Sequence, residues 1–264
     1  MFVREKVIKA ILDSGENFMS GEQLSKKLGI SRTAVWKHIN ALREEGYNIE
    51  SVNKKGYRLA EKPDDILSSE NIAHNLPTEF IGKKVIHLDT VGSTNDYAKE
   101  IGNKVSGGTL IISEQQTKGK GRLGRVWKSK SGDGIWMSLI IKPKIEPYKA
   151  PFLTLVAGAS VVKALSNLGV EASIKWPNDI IVHNKKICGI LTELSAEMER
   201  VNYVVIGIGI NIKTIDFPDE IKEKATSLYK EGYKLSRVDI VRQFCIEFEK
   251  LYKGYILDGN KQDT

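Results

Sequence analysis

The hydrophobic rhythm of the chain changes once, across Ala60-Glu61-Lys62-Pro63-Asp64-Asp65, and the change limits what either side can fold into. Before it, apolar residues recur at helical spacing. Val3, Val7, Ile8, Ile11 and Leu12 predict a first amphipathic helix to about Asp13, stopped at Gly15. Ser20 caps a second helix through Leu24 and Leu28, closed by Gly29. Ser31 caps a third, with an apolar face of Val35, Ile39 and Leu42 and an end at Gly46. The short helices around Leu28-Gly29-Ile30 have the length and turn chemistry of a helix-turn-helix. Ile49–Val52, the turn Asn53–Gly56 and Tyr57–Leu59 then predict a small hairpin with a basic tip, the pattern of a wing.

That order of elements suits duplex DNA. Arg32, Thr33, Lys37 and His38 fall on the exposed N-terminal half of the third helix, within reach of a major groove. Lys54 and Lys55 at the wing tip would meet phosphate, which adds affinity but reads no sequence. Residues 1–60 hold eleven Lys/Arg against seven Asp/Glu, and the whole chain carries +7, so a polyanionic partner is electrostatically favoured. A helical dimerisation module with solvated charges is the competing reading. It has no need of the basic hairpin.

Beyond the break, the proline-containing polar segment reads as a boundary, which sets domains at 1–62 and 66–264. Strands are predicted at Lys84–Leu88, Thr109–Ser113, Gly134–Ile141, Ile180–Val182, Ile187–Ser195 and Tyr203–Ile208. Helices are predicted over Asn95–Ile101, Phe152–Leu168 and Val238–Tyr252. Strands outnumber helices and several are joined by short turns, so the class is α+β, a mixed sheet covered by helices. Cys188 and Cys245 lie far apart without a CxxC pair, which argues for two buried hydrophobes in a reducing cytosol. The N-terminus has no signal-peptide core, and the most apolar stretch, Pro151–Val162, ends at Lys163, too short to span a bilayer. The expectation is a soluble, cytoplasmic protein with no membrane partner.

The chemistry concentrates in Glu114–Trp127. Gly119, Gly121 and Gly124 satisfy the spacing G-x-G-x-x-G, but a dinucleotide site needs a helix directly after the glycines. Val126–Gly134 is a loop sequence, so the nicotinamide reading fails. Lys118, Lys120, Arg122 and Arg125 interleave with the glycines instead, which predicts a basic loop folding over phosphates. Lys175-Trp176-Pro177-Asn178-Asp179 is predicted as a proline-fixed turn just before a strand, its lysine suited to an anion and its Asn/Asp to magnesium. Lys185–Leu191 is a basic turn feeding a buried strand. Gly207-Ile208-Gly209-Ile210-Asn211 places two glycines after a strand, a pattern more often a bulge than a ligand site. In Gly92–Asp96, helix capping alone accounts for Ser93 or Thr94. There is no Walker A loop, H-E-x-x-H helix or G-x-S-x-G elbow.

Taken together and in this order, the helix-turn-helix, GSTN, GKGRLGRVW, KWPND, KKICGIL and GIGIN closely resemble the bifunctional biotin–protein ligase and biotin-operon repressor family, across essentially the whole chain. The resemblance implies a winged helix followed by a mixed-sheet catalytic domain of the biotin/lipoate ligase type. It implies that Ser93, Thr94, Asn95 and Gln116 contact biotin, and that Lys120, Gly121 and Arg122 close over biotin and its adenylate. Trp127 would border the adenine, and Asn211 would support the nucleotide pocket. Lys175 would meet the reacting carboxylate and α-phosphate, and Lys186 the biotin carboxyl or phosphate. Asn178 and Asp179 would help place the nucleotide, with Asp179 toward Mg2+. On these roles Arg122, Lys175 and Lys186 are the catalytic cations. The implied substrates are biotin and ATP. The implied partners are a biotin carboxyl carrier domain, operator DNA and a second copy of the chain once the adenylate is bound.

Two departures stand out. Lys120 replaces the arginine common in relatives, keeping the charge without its fork of donors. Relatives with the winged helix usually continue into a small β-barrel, whereas this sequence stops soon after its last predicted helix, so the expectation is either a truncated sequence or a protein without that module. The alternatives are therefore a biotin-sensing repressor with little turnover and, given the shared catalytic fold, a lipoate–protein ligase.

Overall fold

Residues 3–60, 65–198 and 200–259 are described by the computed structural model of the chain, which divides into two units, Met1–His74 and Asn75–Thr264. The first unit contains α1 (Val3–Asp13), α2 (Gly21–Leu28) and α3 (Arg32–Glu44), and caps fix where α2 and α3 begin. The Ser20 hydroxyl accepts the Gln23 N–H at 3.1 Å, while the Gln23 side-chain oxygen accepts the Ser20 N–H at 2.7 Å. Gly29 ends α2 in the left-handed region, φ 68°, and the Ser31 hydroxyl starts α3 by accepting the Ala34 N–H at 3.1 Å. The three helices close on Val7, Ile11, Leu24, Val35, Ile39 and Leu42, all fully or almost fully buried. β1 (Ile49–Val52) and β2 (Gly56–Leu59) pair antiparallel as the expected hairpin.

Residues 61–64, within the predicted break, lie outside the described residues. After them comes α4 (Ser69–Ala73), a one-turn helix that periodicity could not reveal. Ile66 packs on the first core, and the Tyr47 hydroxyl donates to Ser68 Oγ at 2.9 Å. These contacts carry the first unit on to His74.

The second unit is a seven-stranded sheet. Its elements are β3 (Val85–Val91), α5 (Thr94–Ile101), β4 (Thr109–Gln116), β5 (Gly134–Ile141), α6 (Phe152–Asn167), β6 (Ser173–Lys175), β7 (Asp179–Val182), β8 (Lys185–Glu197), β9 (Arg200–Asn211) and α7 (Arg237–Gly259). Strand order is β3-β4-β5-β9-β8-β7-β6, with β3 and β4 parallel through the α5 crossover and every other pair antiparallel. β6 was not expected, since three residues are too few to show a period. Several strands run longer than read, β9 most of all, so Gly207–Asn211 lies inside a regularly paired strand and is no bulge.

The apolar run is also longer than the sequence reading allowed. Helical structure spans Pro147–Asn167, 21 residues, and by length and composition could cross a membrane. Lys163 does not interrupt it because α6 buries another face, with Leu153, Ala157, Val161, Ala164 and Leu165 in the core. The apolar composition serves that packing against α7 and the sheet.

α7 is moored to the turn before β3. Glu249 accepts the backbone N–H groups of Glu79, Phe80 and Ile81 at 2.7, 2.9 and 3.0 Å. Burial alone would raise the Glu249 carboxyl, but the three N–H donors outweigh it and hold the group below its ordinary 4.5. The stabilisation is therefore complete above that value and disappears as pH falls through the depressed one. Glu249→Gln should lose about 2 kcal/mol at neutral pH. In chemical denaturation at stepped pH, the gap between variant and wild type should narrow below pH 4.5; a gap independent of pH would refute the mooring.

Candidate functional site

Alternation along the central strands hollows out the floor of the site. Across β5 and β9, Ser138 faces Gly207 and Trp136 faces Gly209; across β9 and β8, Gly209 faces Gly189. On that side of the sheet three neighbouring positions carry no side chain, while the intervening Ile190, Ile206 and Ile208 point to the other side. Asn95 and Trp127 occupy the vacated space. A Cβ on Gly207 would collide with the Asn95 carboxamide, and one on Gly209 would lie 2.6 Å from the Trp127 indole. The glycine pair that reads in sequence as a bulge is thus a trough.

The start of α5 supplies the polar wall. Ser93 caps the helix by accepting the Asp96 N–H, and Ser93, Thr94 and Asn95 are all buried. Gln116 Oε1, at the end of β4, accepts from the Thr94 N–H at 2.8 Å and lies 3.1 Å from its hydroxyl. The Ser138 hydroxyl donates to Asn95 Oδ1 at 2.6 Å and sits 2.8 Å from the Thr94 hydroxyl. Asn95 Nδ2 donates to Glu193 Oε2 at 2.8 Å. The result is a compact set of hydroxyls and amides with fixed orientations.

The glycine-rich segment folds back over this floor as a flap between β4 and β5. Trp127 N–H donates to Gly119 O at 2.9 Å, and Gly121 N–H to Arg125 O at 2.8 Å. A single 3-10 turn at Arg122–Gly124 lies inside the flap, and no helix follows the glycines, as the rejection of a dinucleotide site required. Lys120 pairs with Asp96 at 2.6 Å, Asp96 with Lys99 at 3.0 Å and Lys99 with Glu193 at 2.7 Å. The Lys120 ammonium beside Asp96, seconded by Lys99, holds that carboxyl below its usual range. Arg122 Nη1 donates to Asn178 Oδ1 at 2.8 Å. Lys186 pairs with Asp179 at 2.7 Å, and its ammonium lies 5.2 Å from the Trp127 ring centre.

Lys175 closes β6 and Asp179 opens β7, so the KWPND cluster straddles a turn between two strands instead of merely preceding one. Asn211 ends β9 and donates to Thr226 O at 3.1 Å. Ser93, Thr94, Asn95, Gln116, Lys120, Gly121, Arg122, Trp127, Lys175, Asn178, Asp179, Lys186 and Asn211 all line one cavity of about 560 Å3. That volume suits a small-molecule ligand.

Sequence reading missed the groups that support the wall from behind and the wall's far side. Ser138 and Glu193 complete the polar set; a lone serine within the apolar run Gly134–Ile141 was the available signal. Asp216, Phe217, Pro218, Ile221 and Lys224 close the far side, where the chain has no periodicity to read.

In the first unit, Thr33 and Lys37 are exposed on α3, and Lys54 stands in the hairpin turn at φ 64°. Lys55 lies 5.9 Å from the Phe18 ring centre. Arg32 is not free on its helix, because Glu22 of α2 takes its guanidinium at 2.6 Å.

Comparison with known proteins agrees with this architecture. The family model of the biotin/lipoate A/B protein ligase family matches residues 88–211, and that of a helix-turn-helix domain matches residues 3–58. The chain is 46% identical to the bifunctional ligase/repressor BirA of Bacillus subtilis (strain 168) over 262 residues, 97% of this chain and 80% of that one. To the bifunctional ligase/repressor BirA of Escherichia coli (strain K12) it is 38% identical over 86% of this chain and 70% of that one. The biotin protein ligase of Aquifex aeolicus, solved in complex with biotin and ATP, superposes with a TM-score of 0.58 at 36% identity, covering 66% of this chain and 72% of that one. With a helix-turn-helix unit joined to a sheet of this topology, the chain belongs to the biotin/lipoate A/B protein ligase family, among its bifunctional ligase/repressors.

Proposed function

We propose that the chain, a biotin–protein ligase and repressor, activates biotin as biotinyl-5′-AMP and transfers it to a lysine of a biotin carboxyl carrier domain. The observation that carries the reading is the adjacency, in one cavity, of a buried hydroxyl–amide wall and a group of cations. Thr94, Asn95 and Gln116 match the donors and acceptors of a ureido ring, with Ser93 behind them. Arg122, Lys175 and Lys186, with Lys120, suit a carboxylate and a triphosphate brought together against their repulsion. Trp127 and Asn211 flank the nucleotide, and Asn178 helps to place it.

In the first step a biotin carboxylate oxygen attacks the α-phosphorus of ATP and pyrophosphate leaves. In the second the acceptor amine attacks the acyl carbon, the anhydride bond breaks, and AMP departs as the amine loses its proton. Neither step needs a protein nucleophile, and the flap keeps water from the anhydride. Among the described residues no group of three His, Cys, Asp or Glu could hold a metal. A magnesium ion carried by nucleotide phosphates needs few protein ligands, and Asp179 is the carboxylate proposed for it once Lys186 turns to the substrate. In the cytoplasm the adenylate-bound form would pair with a second copy and bind operator DNA through Arg32, Thr33, Lys37, Lys54 and Lys55, Arg32 exchanging its exposed contact with Glu22 for the duplex.

The test is incubation of the chain with ATP, magnesium, biotin and a carrier domain, following pyrophosphate and acceptor mass. One added biotin per acceptor, with Arg122→Ala at least about a hundredfold slower, is expected. Pyrophosphate without acceptor modification would remove the transfer step from the proposal. Biotin binding with neither product would leave a biotin-sensing repressor.

A further inference from the structure

The outer face of α3 carries a large apolar group that no role described so far uses. Val35, Ile39 and Leu42 turn inward and are buried, which leaves Arg32, Thr33, Trp36 and Lys37 outward. Trp36 is 54% exposed. A tryptophan half-exposed on a helix keeps apolar surface in water, surface that a docked partner would remove from it. Thr33 precedes it by three residues on the same surface, and Lys37, one residue on, is exposed about 100° further round the helix. Arg32, expected in the groove with Thr33 and Lys37, is ion-paired with Glu22 at 2.6 Å. The apolar ring is thus the dominant feature of the face, within a unit whose exposed cations include Lys26, Lys27, Lys37, Lys54 and Lys55.

We propose that Trp36 is a specificity-determining residue, its indole packing on the 5-methyl group of a thymine in the major groove of operator DNA. The proposal rests on the DNA-binding reading given above. Two observations fit duplex DNA as the occupant. The surrounding charge is positive, as a phosphate backbone requires, and Trp36 is the fifth residue of the second helix of a helix-turn-helix, in the half that meets base edges. The thymine methyl is the one apolar group that a base presents in that groove. Lysines around the ring hold the phosphates; the ring itself reads sequence.

The experiment starts by selecting duplexes from a random-sequence pool on the full chain with biotin, ATP and magnesium. Binding of the selected duplex and a scrambled duplex is then measured for wild type, Trp36→Ala and a Lys54→Ala/Lys55→Ala double variant. Single thymines of the selected duplex are next replaced by deoxyuridine, which removes only the methyl group. Trp36→Ala should weaken the selected duplex about tenfold or more and leave the scrambled one nearly unchanged. The lysine variant should weaken both and flatten the salt dependence by about one unit per lost contact. One deoxyuridine position should weaken wild type severalfold and leave Trp36→Ala indifferent. Biotin ligation by Trp36→Ala should match wild type, and its unchanged binding of the scrambled duplex shows that the first unit is folded. If Trp36→Ala affects both duplexes alike, or alters only the association state, the proposal is overturned and the DNA-binding reading stands. If wild type selects no sequence at all, the repressor reading fails and this proposal with it.

Discussion

Gly207→Ala should weaken biotin binding by about a hundredfold while β9 keeps its pairing. The backbone there is ordinary extended strand, so alanine meets no conformational penalty; the obstacle is the Asn95 carboxamide. Asn95 cannot step aside. Ser138 holds its oxygen, and Leu191 O and Glu193 hold its nitrogen. The added methyl must therefore displace a buried, fully bonded amide or break its bonds, a cost of about 2–3 kcal/mol and the same order in affinity for any ligand that uses Asn95. Titration calorimetry with biotin and a thermal melt separate the two effects. A dissociation constant raised about a hundredfold beside a melt lowered by only a few degrees is expected. Unchanged biotin affinity would remove Asn95 from the biotin contacts. Gly209→Ala should act through Trp127 instead, and its larger effect should fall on the nucleotide.

Arg237→Ala should cost about 3–5 kcal/mol of stability. Arg237, 5% exposed, begins α7 and gives Nη1 to Glu114 at 2.7 Å and to Gly134 O at 3.4 Å. Removing it strands a carboxylate near the end of β4 and frees a carbonyl at the start of β5. Those are the two strands from which the flap springs. Urea denaturation of Arg237→Ala measures the loss directly. Arg237→Met with Glu114→Leu should recover much of it, because the penalty lies in the unpaired charge more than in the lost attraction. A loss below about 1 kcal/mol would mean that water replaces the guanidinium without difficulty.

How much of this was legible in the sequence follows from the range of the interactions. Ser20, Gly29 and Ser31 act on backbone within a few residues, so the helices of the first unit could be read almost to their ends. The cavity residues could be named because they lie in short, chemically unusual clusters. Partnerships across the sheet could not. Glu193 reaches Asn95 from 98 residues away, and Arg122 finds Asn178 at a separation of 56. Likewise Glu22 meets Arg32 only because α2 and α3 pack together. The wall around Phe217 and Pro218 left no trace, since it has neither periodicity nor chemistry of its own. The purpose of Gly207 and Gly209 was hidden for another reason: their meaning depends on what rests on them.

The floor of that trough also sets two demands on the chain against each other. Gly189, Gly207 and Gly209 sit in central strands, where a β-branched residue would favour the strand and each glycine forfeits roughly 0.5–1 kcal/mol. The glycines make room for Asn95 and Trp127, and apart from those two side chains folding gives no reason to keep them. A descendant that had ceased to bind its ligand would be free to lose Asn95 and Trp127, fill the hollow with valine or isoleucine and become more stable. Those three vacant positions therefore serve as a gauge of use: while they remain glycine, the chain is giving up stability for an occupant.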